Sequence, residues 1–358
     1  MSIDAARQLL LDAIAARVFP AAVADVGSST GVLWREAAGS LTFAAESEPV
    51  SQATPFDLAS LTKVVATATV VMDLVRATAL RLDEPIADAF PEWRGADRES
   101  VSVRDLLEHA SGLPARLIDP PLAGRREFEH DICTMPLEYE PRTRSIYSDL
   151  GFILLGMLAA DRAGRPLAAA FDRLRQRLAL AEAALATETL SFGLTGALKL
   201  QAAPTLPRDD DVRRGRTLVG SVHDTYAAAL GGVAGHAGLF GTAAGVAAFA
   251  RAALRAARGD GTVPEPLSPP RVLQFTTRST VTASSRALGW DTMLPTSSCG
   301  TRMSPAAFGH VGFTGTSLWI DPLRDRYFVL LTNRACEGGT VEQMRAVRRA
   351  FHDALHDL

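Results

Sequence analysis

Apolar residues recur along this chain with two different periods, and the period changes with position. The opening stretch MSIDAARQLLLDAIAARVFP places them at helical spacing among charged residues, which predicts an amphipathic helix. AAVADVG and GVLWREAAGSL follow as two strands joined by a turn between Gly27 and Gly31. A run that is almost wholly apolar then predicts a long helix from about Leu58 to Thr78. From about Leu82 to Leu254 helical patterns dominate, broken by loops rich in Pro, Gly and Arg such as GLPARLIDPPLAGRRE. Strand character returns in RALGWDTML, TSLWID and YFVLL, the last a buried strand. Val341, Met344, Val347, Phe351 and Leu355, three and four apart, predict a final helix. Strands at both chain ends with helices between them predict an α+β fold. Its antiparallel sheet is built from both termini and flanked by the terminal helices. The expected division is a discontinuous sheet domain, residues 1–81 and 285–358, with a mainly helical insertion, residues 82–284, and an active site between them.

Composition narrows this little. The 358 residues are 47% hydrophobic and 22% charged, ordinary values for a globular protein large enough for one big domain or two. A net charge of −3, with both signs mixed along the chain, predicts no nucleic-acid or membrane surface. No apolar run approaches the length of a membrane span, and the N-terminus lacks a basic signal-peptide start. Cytoplasmic location is therefore expected. Cys133, Cys299 and Cys336 are odd in number and form no C-x-x-C pair, so free thiols are expected. The seven histidines show no metal-binding spacing, so neither a metal nor another cofactor is expected.

Charge becomes informative at one residue. Of 37 basic residues only Lys63 and Lys199 are lysine, yet Lys63 stands inside the apolar run FDLASLTKVVATATVVMDLV. Burying an ammonium is costly unless it is paired or loses its proton. Ser60 lies three residues earlier, on the same helical face and near the positive end of the helix dipole. A desolvated lysine can take the serine's proton, whereas a guanidinium stays protonated. S-x-x-K thus reads as a nucleophile with its base, although chance alone would produce the spacing now and then.

Three further phrases stand in order behind it. EPRTRSIYSDLGFILLG puts Tyr147 just ahead of an apolar helix, with Asp149 as a candidate cap. LGGVAGHAGLFGTAAG lacks the G-K-[ST] ending of a phosphate loop and reads as a glycine-rich loop into a helix capped by Thr242, with His236 at a possible site rim. FGHVGFTGTSLWIDP carries His310 and, after it, two glycines leading into a strand. Singly, Tyr147 reads equally well as a half-buried core residue, and His310 as a residue that satisfies a turn.

Together, SLTK, YSD and HVG resemble the serine β-lactamase and penicillin-binding-protein superfamily, in its class C-like esterase branch. LLEHASGLP and LLTNR are similar phrases, so the resemblance spans nearly the whole chain. It implies Ser60 as the acylated nucleophile, Lys63 as its proton partner and Tyr147 as proton shuttle. It also implies an oxyanion site from the N–H groups of Ser60 and Phe313, beside Gly312 and His310. Asp149 stands where that pattern has Asn, His310 where it has Lys or His, and Val311 where it has Thr. These departures remove an amide donor and a hydroxyl that would grip a β-lactam.

The expected activity is therefore ester hydrolysis on a small acyl substrate, with an amide or β-lactam as lesser candidates. Acyl transfer through the same intermediate is one alternative. A D-amino-acid peptidase, with Asp149 or Asp224 binding the substrate ammonium, is another. A catalytically silent binding protein on this fold is a third.

Overall fold

The computed structural model describes residues 2–117, 124–179 and 189–358. The chain opens with α1 (Ile3–Ala15), the hairpin β1 (Ala21–Ser28) and β2 (Gly31–Gly39), and short β3 (Phe56–Asp57). Then come α2 (Thr69–Arg76), α3 (Val103–Leu107), α4 (Arg125–Thr134), α5 (Asp149–Ala163) and α6 (Leu167–Ala179). Next are β4 (Leu190–Phe192), α7 (Gly196–Leu200), α8 (Thr225–Ala229), β5 (Leu239–Gly241), α9 (Ala243–Ala257) and α10 (Pro269–Thr276). The chain closes with β6 (Asp291–Thr292), β7 (Phe308–Val311), β8 (Ser317–Asp321), β9 (Arg326–Thr332) and α11 (Val341–Ala354).

Both chain ends build one antiparallel sheet in the order β2-β1-β9-β8-β7-β6. The N-terminal hairpin joins the C-terminal strands through β1 and β9, from Ala22 opposite Thr332 to Gly27 opposite Tyr327. Every residue of β1 is buried because the sheet is a middle layer. Alternate side chains leave a strand on opposite faces. Ala22, Ala24 and Val26 therefore pack with Leu10 of α1 and Phe351 of α11, while Ala21 and Val23 join the core shared with α9 and the helical half. This is the α+β arrangement that the order of periodicities predicts.

Local differences have physical causes. The run from Leu58 to Thr78 is not one α-helix. Residues 58–63 turn through bonds to the third residue back, Lys63–Ala68 is π-helical, and only Thr69–Arg76 is regular. Apolar content does not fix helical pitch, and here side-chain bonds hold the wider turns: the Thr69 hydroxyl donates to the Val64 carbonyl at 3.1 Å. RALGWDTML contributes only Asp291–Thr292 to the sheet. A second, three-stranded sheet, β3-β5-β4, escapes the sequence pattern because its strands are two or three residues long. The middle of the GLPARLIDPPLAGRRE loop, and residues 180–188 of the predicted helical stretch, lie outside the described residues. Thr242 caps α9 as predicted, accepting the Gly245 N–H at 3.1 Å. No described helix is long and apolar enough to cross a membrane.

Candidate active site

The site begins where β3 ends. Asp57 pairs with Phe240 of β5, and the next residue but one, Ala59, takes a left-handed φ of 47° that delivers Ser60 at the head of the following turn. Lys63 is one turn on and fully buried. Its Nζ donates to Ser60 Oγ at 3.0 Å, to Asp149 Oδ1 at 2.8 Å and to the His236 carbonyl at 3.2 Å. Tyr147 reaches the same oxygen from the loop before α5, its Oη donating to Ser60 Oγ at 2.7 Å. The Lys63 ammonium also lies 4.8 Å from the centre of the Tyr147 ring.

Burial works to lower the pKa of Lys63, but the charge of Asp149, then that of Tyr147 and the bonds to both, outweigh it, and the group sits above its usual value. The resting side chain is thus an ammonium rather than the neutral amine that sequence alone suggested. Asp149 is not the cap of α5. Ser148 is, its Oγ accepting the Gly151 N–H at 3.4 Å, which frees the Asp149 carboxylate to turn inward. Its second oxygen accepts from Arg116 at 3.1 Å. Arg116 also bridges to Asp224 at 3.4 Å, and Asp224 meets His236 Nε2 at 2.7 Å. Asp149 and Asp224 both line the second cavity, each already facing a cation within the protein. His236 is 1% exposed; it lines the second cavity and holds its carbonyl on Lys63.

The opposite wall is the turn after β7. The Gly312 N–H donates to the Thr316 carbonyl at 2.8 Å, and a Cβ on Gly312 would lie 2.1 Å from Thr316 Oγ1 and 2.6 Å from the Leu58 carbonyl. Only glycine permits that approach. The Gly312 carbonyl accepts from buried Arg348 of α11 at 2.7 Å. In a trans peptide the C=O and the following N–H point in opposite directions, so Arg348 turns the Phe313 N–H away from itself. His310 is buried, and its Nδ1 donates to the Val311 carbonyl at 2.9 Å. Burial, then Arg286 and Lys63, hold its pKa well below the usual imidazole value, so it is neutral.

Two cavities meet here, of about 250 Å³ and 290 Å³, and Ser60, Tyr147 and Phe313 line both. The first adds His310, Arg286 and Arg334; the second adds Asp149, Arg116 and His236. Arg334 spends its donors on the Phe313 and Gly339 carbonyls. Among the described residues the Arg286 guanidinium has no hydrogen bond or ion pair, only the Tyr147 ring 5.1 Å away.

The structure therefore brings Ser60, Lys63, Tyr147, Asp149, His236, His310, Gly312 and Phe313 to one place. Sequence reasoning missed Asp57, His109, Arg116, Arg286 and Arg348. His109 receives the Ser148 N–H on Nδ1 at 3.0 Å and packs against Tyr147, with ring centres 4.8 Å apart. The phrase LLEHASGLP contained it, but nothing in that spacing points to a site.

The arrangement can generate a serine nucleophile between a cation and a phenol, and it resembles known proteins. Residues 7–352 match the family described as Beta-lactamase. A putative D-alanyl-D-alanine carboxypeptidase of Escherichia coli (strain K12) is 32% identical over 310 residues, covering 78% of this chain and 69% of that protein. One from Salmonella agona (strain SL483) is 31% identical over 312 residues, with the same coverage. Two solved structures share the fold at 20% identity, each covering 98% of both chains. EstCE1, a hydrolase with promiscuous acyltransferase activity, gives a TM-score of 0.75, and a class C β-lactamase from Rhodobacter sphaeroides gives 0.73.

Proposed function

Because the chain belongs to the beta-lactamase family of serine hydrolases, we propose that it forms an acyl-enzyme on Ser60 and hydrolyses small carboxylic esters. The observation that carries this reading is Ser60 Oγ lying 3.0 Å from Lys63 Nζ and 2.7 Å from Tyr147 Oη, open to both cavities. Lys63 and Tyr147 act as one pair, with no private proton for either. Once the pair has lost one proton to solvent, it takes the Ser60 proton as Oγ bonds to the acyl carbon. Asp149 steadies the positive charge of the pair whenever Lys63 carries it. The oxyanion is received by the N–H groups of Ser60 and Phe313. Tyr147 returns the proton to the leaving oxygen as its bond to carbon breaks. Water then repeats the sequence on the acyl-enzyme, releasing the carboxylic acid and restoring Ser60.

Esters are favoured over β-lactams by what the walls lack. Both Asp149 oxygens are engaged by cations, so it offers no donor to an acylamino carbonyl. Val311 has no hydroxyl, and His310 is neutral. Each unpaired polar group of a bound β-lactam costs about 1–3 kcal/mol. Two such losses lower turnover by roughly two to four orders of magnitude relative to a site that has both partners. The test compares kcat/KM for p-nitrophenyl butyrate and nitrocefin. The ester should dominate, and nitrocefin turned over as efficiently would restore a β-lactamase.

One observation supports a second reading. Among the described residues Arg286 has no acidic partner, and it lines the same cavity as Ser60, where its guanidinium suits a carboxylate on the substrate. A peptide with a free C-terminus would supply one, in keeping with the name carried by the Escherichia coli relative. Release of alanine from an N-acyl-D-alanyl-D-alanine peptide with higher kcat/KM than the ester would favour this carboxypeptidase.

A further inference from the structure

We infer that Asp57 is a positioning residue that holds the two halves of the oxyanion site in register, an inference that rests on the acyl-enzyme reading above. Three ties leave this one residue. Its Oδ1 accepts the Ala59 N–H at 2.8 Å, its Oδ2 accepts the His223 N–H at 2.6 Å, and its main-chain carbonyl accepts from Thr314 Oγ1 at 2.8 Å.

Each tie reaches a different part of the site. Ala59 is a non-glycine residue at φ 47°, and the peptide it shares with Ser60 carries one of the two oxyanion donors. An L-residue holds a left-handed backbone only where its surroundings impose it, and the Asp57 carboxylate is the group that grips its N–H. Thr314 directly follows Phe313, whose N–H is the other donor, and its hydroxyl anchors the turn to β3. His223 stacks its ring on the Phe313 ring, with centres 5.3 Å apart and planes 25° apart. The second carboxylate oxygen thus fixes the base of the stack against which Phe313 rests. Thr316, donating to the Leu58 carbonyl at 3.0 Å, makes a fourth bond across the same seam.

The choice of aspartate follows from the donors. Asp57 is 3% exposed, and both of its oxygens face main-chain N–H groups. A carboxylate accepts at both ends, whereas an asparagine presents an NH2 to one of those N–H groups. Asp57→Asn therefore keeps size and burial while opposing donor to donor at one tie. Among the described residues its side chain bonds to Ala59 and His223 and lines neither cavity described above, so it acts on the reaction only through the groups it holds.

The experiment uses the full chain at about pH 8, with Asp57→Asn and Thr314→Val beside the unmodified protein. Three quantities are measured: kcat and KM for p-nitrophenyl butyrate, Ki for phenylboronic acid, and the extent of Ser60 labelling by a fluorophosphonate. The boronate forms a tetrahedral adduct that places an oxygen where the oxyanion develops. Asp57→Asn should lower kcat by about 10- to 100-fold and raise the boronate Ki by a similar factor, with KM within about threefold. Thr314→Val should move both in the same direction by less. Labelling to completion counts folded sites, so a loss of folded protein is not mistaken for a loss of rate. Fully labelled Asp57→Asn with unchanged kcat and boronate Ki would overturn the inference. If Asp57→Asn does not fold, an unchanged boronate Ki in Thr314→Val overturns it instead. Failure of the unmodified protein to label at Ser60 would sink the acyl-enzyme reading, a different result from either.

Discussion

An ammonium with no exposed surface has to be held charged by its neighbours, and at Lys63 the anion is Asp149, 2.8 Å away. That ion pair sets two expectations. Lys63→Arg keeps the charge but brings a planar fork that gives up no proton and does not fit the three acceptors around Nζ. It should be nearly as damaging as Lys63→Ala, lowering kcat/KM on the order of 10²–10⁴-fold; retention of most activity would reduce Lys63 to an electrostatic partner. Asp149→Asn acts in the other direction on protonation. Asp149 raises the pKa of Lys63 against the effect of burial, and the working pair must have lost a proton. Removing the anion should move the acidic limb of the kcat/KM profile to lower pH, by about 1–3 units. An unmoved or raised limb would contradict this. Ser60, Lys63, Tyr147 and His310 were legible because short spaced motifs carry them. Arg116, Arg286 and Asp57 were not, since each matters only through what folding sets beside it.

At the scale of elements, the segment after Ser60 shows where pattern reading stops. Its apolar run located a helical segment but not the π-helical turns of Lys63–Ala68, which are held by the local Thr69–Val64 bond and by partners far along the chain. Lys63 and Thr67 both donate to the glycine-rich loop, at the His236 and Gly235 carbonyls, 3.2 Å and 2.7 Å away. That loop presses on α5 so closely that a Cβ on Gly235 would lie 1.9 Å from the Phe152 carbonyl and within 2.9 Å of Gly156 Cα. Both neighbouring atoms belong to the helix backbone and cannot swing aside. Gly235→Ala should therefore cost about 1–3 kcal/mol. It should also weaken activity, by moving the His236 carbonyl from Lys63. Urea denaturation with a parallel esterase assay checks this; wild-type stability would mean that the loop and α5 separate easily.

Across the whole molecule, the two ends of the chain meet at one site. The middle of the chain supplies Tyr147, Asp149 and Arg116, the N-terminal part supplies Ser60 and Lys63, and the last helix reaches the Gly312 and Thr316 carbonyls through Arg348. Periodicity alone predicted a sheet from both ends, because strand patterns cluster there and helical patterns fill the interval. It did not predict the small sheet β3-β5-β4, whose pairing of Asp57 with Phe240 aims the nucleophile turn. Every role assigned above assumes that the acyl group is carried by Ser60. Intact-protein mass spectrometry after brief exposure to a fluorophosphonate or to p-nitrophenyl butyrate tests that assumption directly. The account predicts one adduct on the unmodified chain and none on Ser60→Ala; a full adduct on Ser60→Ala would contradict it.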